Sequence, residues 1–216
     1  MALGARVFAV LAIAAQLSAA TTALGLKDAL RIATDQAVAS TSKTGGFLDN
    51  PKIRIPLPGK LESMATALRA VGMSAQVDEL EVAMNHAAEK AASEATPVFS
   101  KALTDMSFKD ASGILTGGDT AATRYFQKTT SAELATRFRP IVDQAMEQVG
   151  VVKQYDALVS SYTSTPFASA PKLDLGSYVT DQALAGLFKV MGEEEKKIRT
   201  NPAARTTDLL KQVFGH

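Results

Sequence analysis

The stretch from Val77 to Ala95 constrains this chain more than any other. Val77, Leu80, Met84, Ala87, Ala88, Ala91 and Ala95 recur at helical intervals and make one apolar face. Most of that face is alanine. Small side chains let neighbouring helices approach closely, so this helix belongs near the centre of a helical assembly. Ser74 is placed to cap it, and Thr96-Pro97 interrupts it, with Thr as N-cap and Pro opening a new helix or a kink as the alternative. Val98, Phe99, Ala102, Leu103 and Met106 continue the apolar pattern.

The same periodicity runs through most of the chain. Leu26, Leu30, Ala33 and Ala37 give a helix over Leu26 to Ser40. Lys60 to Val71 is a short amphipathic helix ended by Gly72. Ser107 to Thr116 is another, with Ser107 as N-cap and Asp110 in the first turn, where it suits the helix dipole. Thr130 and Glu133 have capping-box spacing and predict a new start, with Pro140 bending the helix that follows. Val151 to Tyr162 is helical, with Tyr155 and Leu158 inward. Asp174 or Ser177 caps a helix to about Thr200, and Pro202 to Phe214 forms the last.

Two stretches break the period. Thr44 to Gly59 holds three prolines and three glycines, which exclude a helix. There Ile53, Ile55 and Leu57 alternate with Lys52, Arg54 and Pro56, as in an extended segment laid on a helical surface or a lone edge strand. Thr163 to Leu173 is the second irregular segment. The expected fold is all-α: one multi-helix bundle of about eight helices with two irregular segments, spanning residues 24–216.

Residues 1–23 read as a signal peptide. Arg6 precedes the apolar run Val7 to Ala15, and small residues follow, with Ser18/Ala20 or Thr21/Ala23 at the cleavage positions. The run is well short of the roughly 20 residues that span a bilayer, so no transmembrane segment is expected after cleavage. Losing Arg6 lowers the basic count from 23 to 22, against 22 acids. No block of one sign points to nucleic acid. There is no Cys, hence no disulfide and no lipid-modified N-terminal cysteine. A periplasmic or secreted protein is expected.

"GGDTAATRYF" begins with two glycines, like a phosphate loop. Such a loop needs Lys-Ser/Thr where this chain has Asp119-Thr120, and the aspartate reverses the sign. The local account is an interhelical corner. Gly117 ends one helix in a left-handed conformation, Gly118 makes the turn, and Asp119 caps the next helix through its carboxylate.

"GGDTAATRYF", "RFRP", "DNPKIRIPLP", "GEEEKKIR" and "NPAARTTDLLKQVFG" resemble signature stretches of the "domain of unknown function 4197" family. The resemblance runs from about Gly25 to Gly215. It implies a helical exported bacterial protein and carries no activity, cofactor or catalytic residue.

Histidine is scarce, with His86 internal and His216 terminal. His86 and Glu89, one turn apart, could share a metal. A zinc site would lack Cys and a second internal His, and the paired Glu-x-x-His of di-metal bundles is absent. No metal or cofactor is expected. The same shortage excludes most Ser-His-Asp chemistry unless His86 itself is the base. "GEEEKKIR" reads as a solvated face of helical ion pairs. The arginines offer more. Arg124, Arg137, Arg139 and Arg205, with Arg54, stand beside aromatics, helix corners or the extended segment. They either tie helices internally to acids such as Asp119, Asp181 or Asp208, or line a cleft for an acidic ligand.

Three functions follow as expectations. The first is a non-enzymatic periplasmic protein that binds an acidic small molecule or an envelope protein. The second is a hydrolase or lyase using Asp119 and Glu133 with an arginine clamp on an acidic substrate. The third is a structural protein of the cell envelope.

Overall fold

The computed structural model describes the backbone of residues 2–148, 151–164, 173–201 and 203. The fold is all-α. Helix α1 spans Ala2–Ser42, α2 Glu62–Ala70, α3 Ser74–Ala92, α4 Ala95–Asp105, α5 Phe108–Leu115, α6 Ala121–Gln148, α7 Val151–Thr163 and α8 Leu175–Thr200. A short 3-10 turn, Gly59–Leu61, leads into α2. Among the described residues no helix is long and apolar enough to cross a membrane. The expected helix from Pro202 to Phe214 and most of the segment Thr163 to Leu173 lie outside the described residues.

Helices α3, α6 and α8 pack against one another at the centre. Helix α1 lies across α8, α4, α3 and α5, and α2 and α7 cover the other side of α3. The alanine stripe explains the central place of α3, because Ala87, Ala88, Ala91, Ala92 and Ala95 are all buried. Larger side chains fill the space beyond it. Phe99 of α4 packs edge-on against Phe126 of α6 at 5.2 Å and beside Phe188 of α8 at 6.2 Å between ring centroids. These rings join three helices in one apolar cluster.

Several helix ends follow the local sequence. Ser107 and Asp110 form a reciprocal capping box on α5. The Asp174 carboxylate accepts the Ser177 N–H at the start of α8. Gly72 closes α2 with a positive φ of 89° that other residues rarely adopt. Other ends differ from expectation. Ser74 is the first residue of α3 rather than its cap, which is Met73. Thr96 and Pro97 sit inside the first turn of α4, where the missing proline N–H has no helical partner to lose. No helix starts at Thr130. That residue is buried within α6, and its hydroxyl donates back to the Phe126 carbonyl at 2.6 Å. Helix α6 also continues through Pro140.

The segment after α1 forms no strand and is held by side chains. Phe47, Ile53 and Ile55 are buried between α3 and α8. Asn85 of α3 accepts the Ile55 N–H at 2.8 Å and donates to the Ile55 carbonyl at 2.9 Å, as a neighbouring strand would. On the other side, Tyr178 donates to the Pro56 carbonyl at 3.0 Å and Lys189 to the Lys52 carbonyl at 2.9 Å. Gly186 of α8 makes this approach possible, since a Cβ there would lie 2.5 Å from the Phe47 ring.

Two glycines of α8 therefore give opposite expectations. Gly186→Ala forces the fully buried Phe47 ring to move and is expected to destabilise the protein by about 1–3 kcal/mol. Gly192→Ala meets the Thr120 and Thr123 side chains at ordinary contact distances of 3.6 to 3.8 Å. Freed of the backbone entropy of glycine, it is expected to stabilise by about 0.5–1 kcal/mol. Urea melts of the two variants check the difference in sign.

Candidate functional site

Several recesses open on the described surface or between its helices. An apolar crevice lined by residues of α1, α6 and α8 has only about 20 Å³ and holds nothing larger than a water. A groove of about 280 Å³ lies among α4, α5 and α6 and carries Lys101, Asp105, Asp110, Tyr125 and Glu133. Its charges are already matched. Lys101 pairs with Asp105 at 2.8 Å, Glu133 with Arg137 at 3.0 Å, and Asp110 is occupied by the capping box. The hydrogen bond to Asp105 and the charges of Asp105 and Glu133 hold the Lys101 ammonium above its ordinary pKa. Burial, then Asp110 and Asp105, raise the Tyr125 phenol.

A third recess is an open depression of about 420 Å³ lined by Ser42, Thr44, His86, Glu89 and Lys90. It forms where α1 ends against α3. Glu89 faces inward on α3 and is buried. One carboxylate oxygen accepts the N–H groups of Phe47 and Leu48 at 3.0 and 3.1 Å. The other lies 2.7 Å from His86 Nδ1. A carboxylate offers only acceptors, so with Glu89 ionised Nδ1 carries the hydrogen and Nε2 is left for the depression. The His86 side chain is 43% exposed against 5% for Glu89, so the dyad has a buried root and an open head. Lys90 donates to the neutral Gln148 side chain at 2.9 Å. Among the described residues no carboxylate lies within ion-pair distance of Lys90.

The arginines are not brought together. Arg124, Arg137 and Arg139 all lie on α6, not on separate helices. Thirteen residues of helix put Arg124 about 20 Å from Arg137 along the axis. Arg137 pairs with Glu133. Arg139 binds Asp143 at 2.7 Å, Asp174 at 3.0 Å and the Ser177 hydroxyl at 2.6 Å, tying α6 to the start of α8. Arg54 pairs with Glu81 at 2.7 Å. Arg124 bonds the Thr120 hydroxyl at 3.1 Å. Arg205 lies outside the described residues.

The corner Gly117-Gly118-Asp119 is also built differently. The described glycines with positive φ are Gly45 and Gly72, so Gly117 is not left-handed. Its role is close packing, because a Cβ there would lie 2.5 Å from the Ala121 Cβ. Gly118 makes the turn, and its carbonyl accepts the Ala121 N–H at 3.0 Å. The cap expected of Asp119 is supplied by Glu195 of α8. Its carboxylate accepts the Ala122 and Thr123 N–H groups at 2.9 and 2.8 Å, and Arg199 pairs with it at 2.9 Å. Asp119 is exposed and faces Lys196 at 3.6 Å.

A family model described as "Protein of unknown function (DUF4197)" matches residues 16–215. The chain belongs to this family. Nothing among the curated proteins or the solved structures matches it. The match includes every residue of the depression and both buried glutamates.

Glu89→Gln keeps the shape of the dyad but places an amide N–H₂ against either His86 or the Phe47 and Leu48 donors. It is expected to cost about 1–3 kcal/mol in denaturant melts, and faster amide exchange at Phe47 and Leu48 would locate the loss. A second expectation concerns acid. The Ser177 N–H, supported by Arg139, holds Asp174 below the usual carboxylate range, and Ser107 does the same for Asp110. Stability from a lowered carboxyl pKa is present above the unfolded value of about 4 and is lost as pH falls through the folded value. Asp174→Ala should therefore flatten the acid limb of a stability-pH profile below about pH 4, read from melts across that range.

Proposed function

We propose that the protein is an exported, non-enzymatic helical binding protein, and that the depression at His86 and Lys90 receives an acidic ligand. The observation that carries this reading is Lys90, a cation beside the oriented histidine whose partner among the described residues is a neutral amide. Both oxygens of Glu89 are engaged in hydrogen bonds, so its acceptor sites are spent on His86 Nδ1 and the Phe47 and Leu48 N–H groups, while its charge still offsets that of Lys90. Ser42 and Thr44 bring hydroxyls that can turn to donate. The ligand class is a carboxylate, phosphate or sulfate group on a small molecule or on the surface of an envelope protein.

The order of charged, apolar and small-residue segments in residues 1–23 supports export to the periplasm or beyond. N-terminal sequencing of secreted material is expected to begin between Thr21 and Lys27, and an intact Met1 on the mature protein would overturn that part.

Binding is tested by an anion thermal-shift screen at pH 6, comparing sulfate and citrate with chloride at matched ionic strength. An anion held in the depression raises Tm by mass action, and one at a hundred times its Kd adds about 2.7 kcal/mol. The shift is expected in the wild type and is expected to be largely lost in Lys90→Gln. Equal shifts in both proteins would place the anion elsewhere.

A further inference from the structure

The charges of the depression lead one step further, on the reading that it binds an anion. Among the described residues, the charged side chains that line it are Glu89 and Lys90, both from α3. The end of α1 and the segment after it line it with the neutral Ser42 and Thr44, and α6 contributes the neutral Gln148 through Lys90. With His86 neutral the charge sums to zero. Nδ1 is committed to Glu89, so in the neutral ring the lone pair sits on Nε2 of a half-exposed side chain that lines the depression. A lone pair repels an anion.

A proton on Nε2 reverses both conditions. The site becomes net positive, and the lone pair becomes an N–H donor on a ring that lines the recess. Nδ1–H stays on the buried Glu89 carboxylate at 2.7 Å, so the added proton goes to Nε2. We infer that the depression takes up its anion together with one proton on His86 Nε2, so that occupancy is gated by acidity. The reciprocal follows by linkage: a bound anion must hold the proton on His86 to a higher pH. Histidine is suited to this task, since it exchanges its proton between about pH 5 and 8.

The coupling leads back into the fold through Glu89. The same carboxylate holds the N–H groups of Phe47 and Leu48, so the proton on His86 and the fastening of the segment after α1 share one acceptor group.

Inorganic sulfate is the probe, because it stays doubly charged across the working range. Its affinity for the full chain is measured by calorimetry from pH 5 to 8.5 at constant ionic strength, and the His86 ring is followed by NMR with and without sulfate. His216 is the other histidine, and His86→Gln identifies the signals by their loss. Sulfate affinity is expected to fall about tenfold per pH unit above the His86 titration and to level off below it. The His86 midpoint is expected to rise when sulfate is added. His86→Gln, checked by circular dichroism for its fold, should bind weakly and without pH dependence. Sulfate bound equally tightly at pH 5.5 and 8.5, with His86 titrating in between, overturns the proton coupling and leaves the binding site standing. Sulfate unbound at every pH by a folded protein overturns the binding reading and the coupling with it.

Discussion

The Glu89 carboxylate, buried on α3 and turned toward the backbone of Phe47 and Leu48, is the contact on which the arrangement around it depends. A chain that leaves a helix and enters a core carries N–H and C=O groups that must find partners. Strands solve this with a ladder. Here Glu89 and Asn85, one turn apart on α3, take the place of the ladder by binding Phe47, Leu48 and Ile55. Glu195 does the same for the first N–H groups of α6, where its negative charge also faces the positive end of the helix dipole. Burying a carboxylate is costly unless it is fully bonded, so none of these side chains can be buried before its backbone partner arrives. The helices and the irregular segment must therefore form their interfaces together.

This division between local and distant partners explains what the sequence revealed. The alanine stripe, the caps at Ser107 and Asp174, and the stop at Gly72 were legible because each depends on residues within one or two turns. Asp119 has the right chemistry for a cap, yet the N–H groups it was expected to take are bonded by a residue more than seventy positions away. Thr130 and Glu133 have capping spacing, but Thr130 faces the core, and burial overrides a motif that also fits a helix interior. Gly117 reads as a left-handed stop, whereas its missing side chain is needed for contact with Ala121.

The site was legible in the same partial way. The spacing of His86 and Glu89 marks them as neighbours on one helix face, and the structure joins them. Nothing in the sequence says that Glu89 also holds the segment after α1, which turns a solvent histidine into an oriented one. The arginines drew attention by standing near aromatics and corners. Three of them share α6, and the helical rise alone keeps Arg124 from Arg137. Assigning Thr130 to a new helix hid this, since it split one rod into two independently placed pieces.

The double use of Glu89 also limits what chemistry the depression can support. A general base must have a lone pair free for the proton it takes. One oxygen of Glu89 already accepts two backbone N–H groups and the other faces Nδ1, so protonating this carboxylate would weaken contacts that hold the chain. The reactive capacity of the recess is therefore left to His86 Nε2, the Lys90 ammonium and the two hydroxyls. Apart from neutral imidazole, these groups can donate hydrogen bonds to an anion. The proton that turns Nε2 into a donor also strengthens the bond to Glu89, since an imidazolium donates to a carboxylate more strongly than a neutral ring does. On the proposed reading, anion capture and the bond between His86 and Glu89 favour the same protonation state, and that distinguishes the depression from the groove between α4 and α6, whose charged groups already have partners.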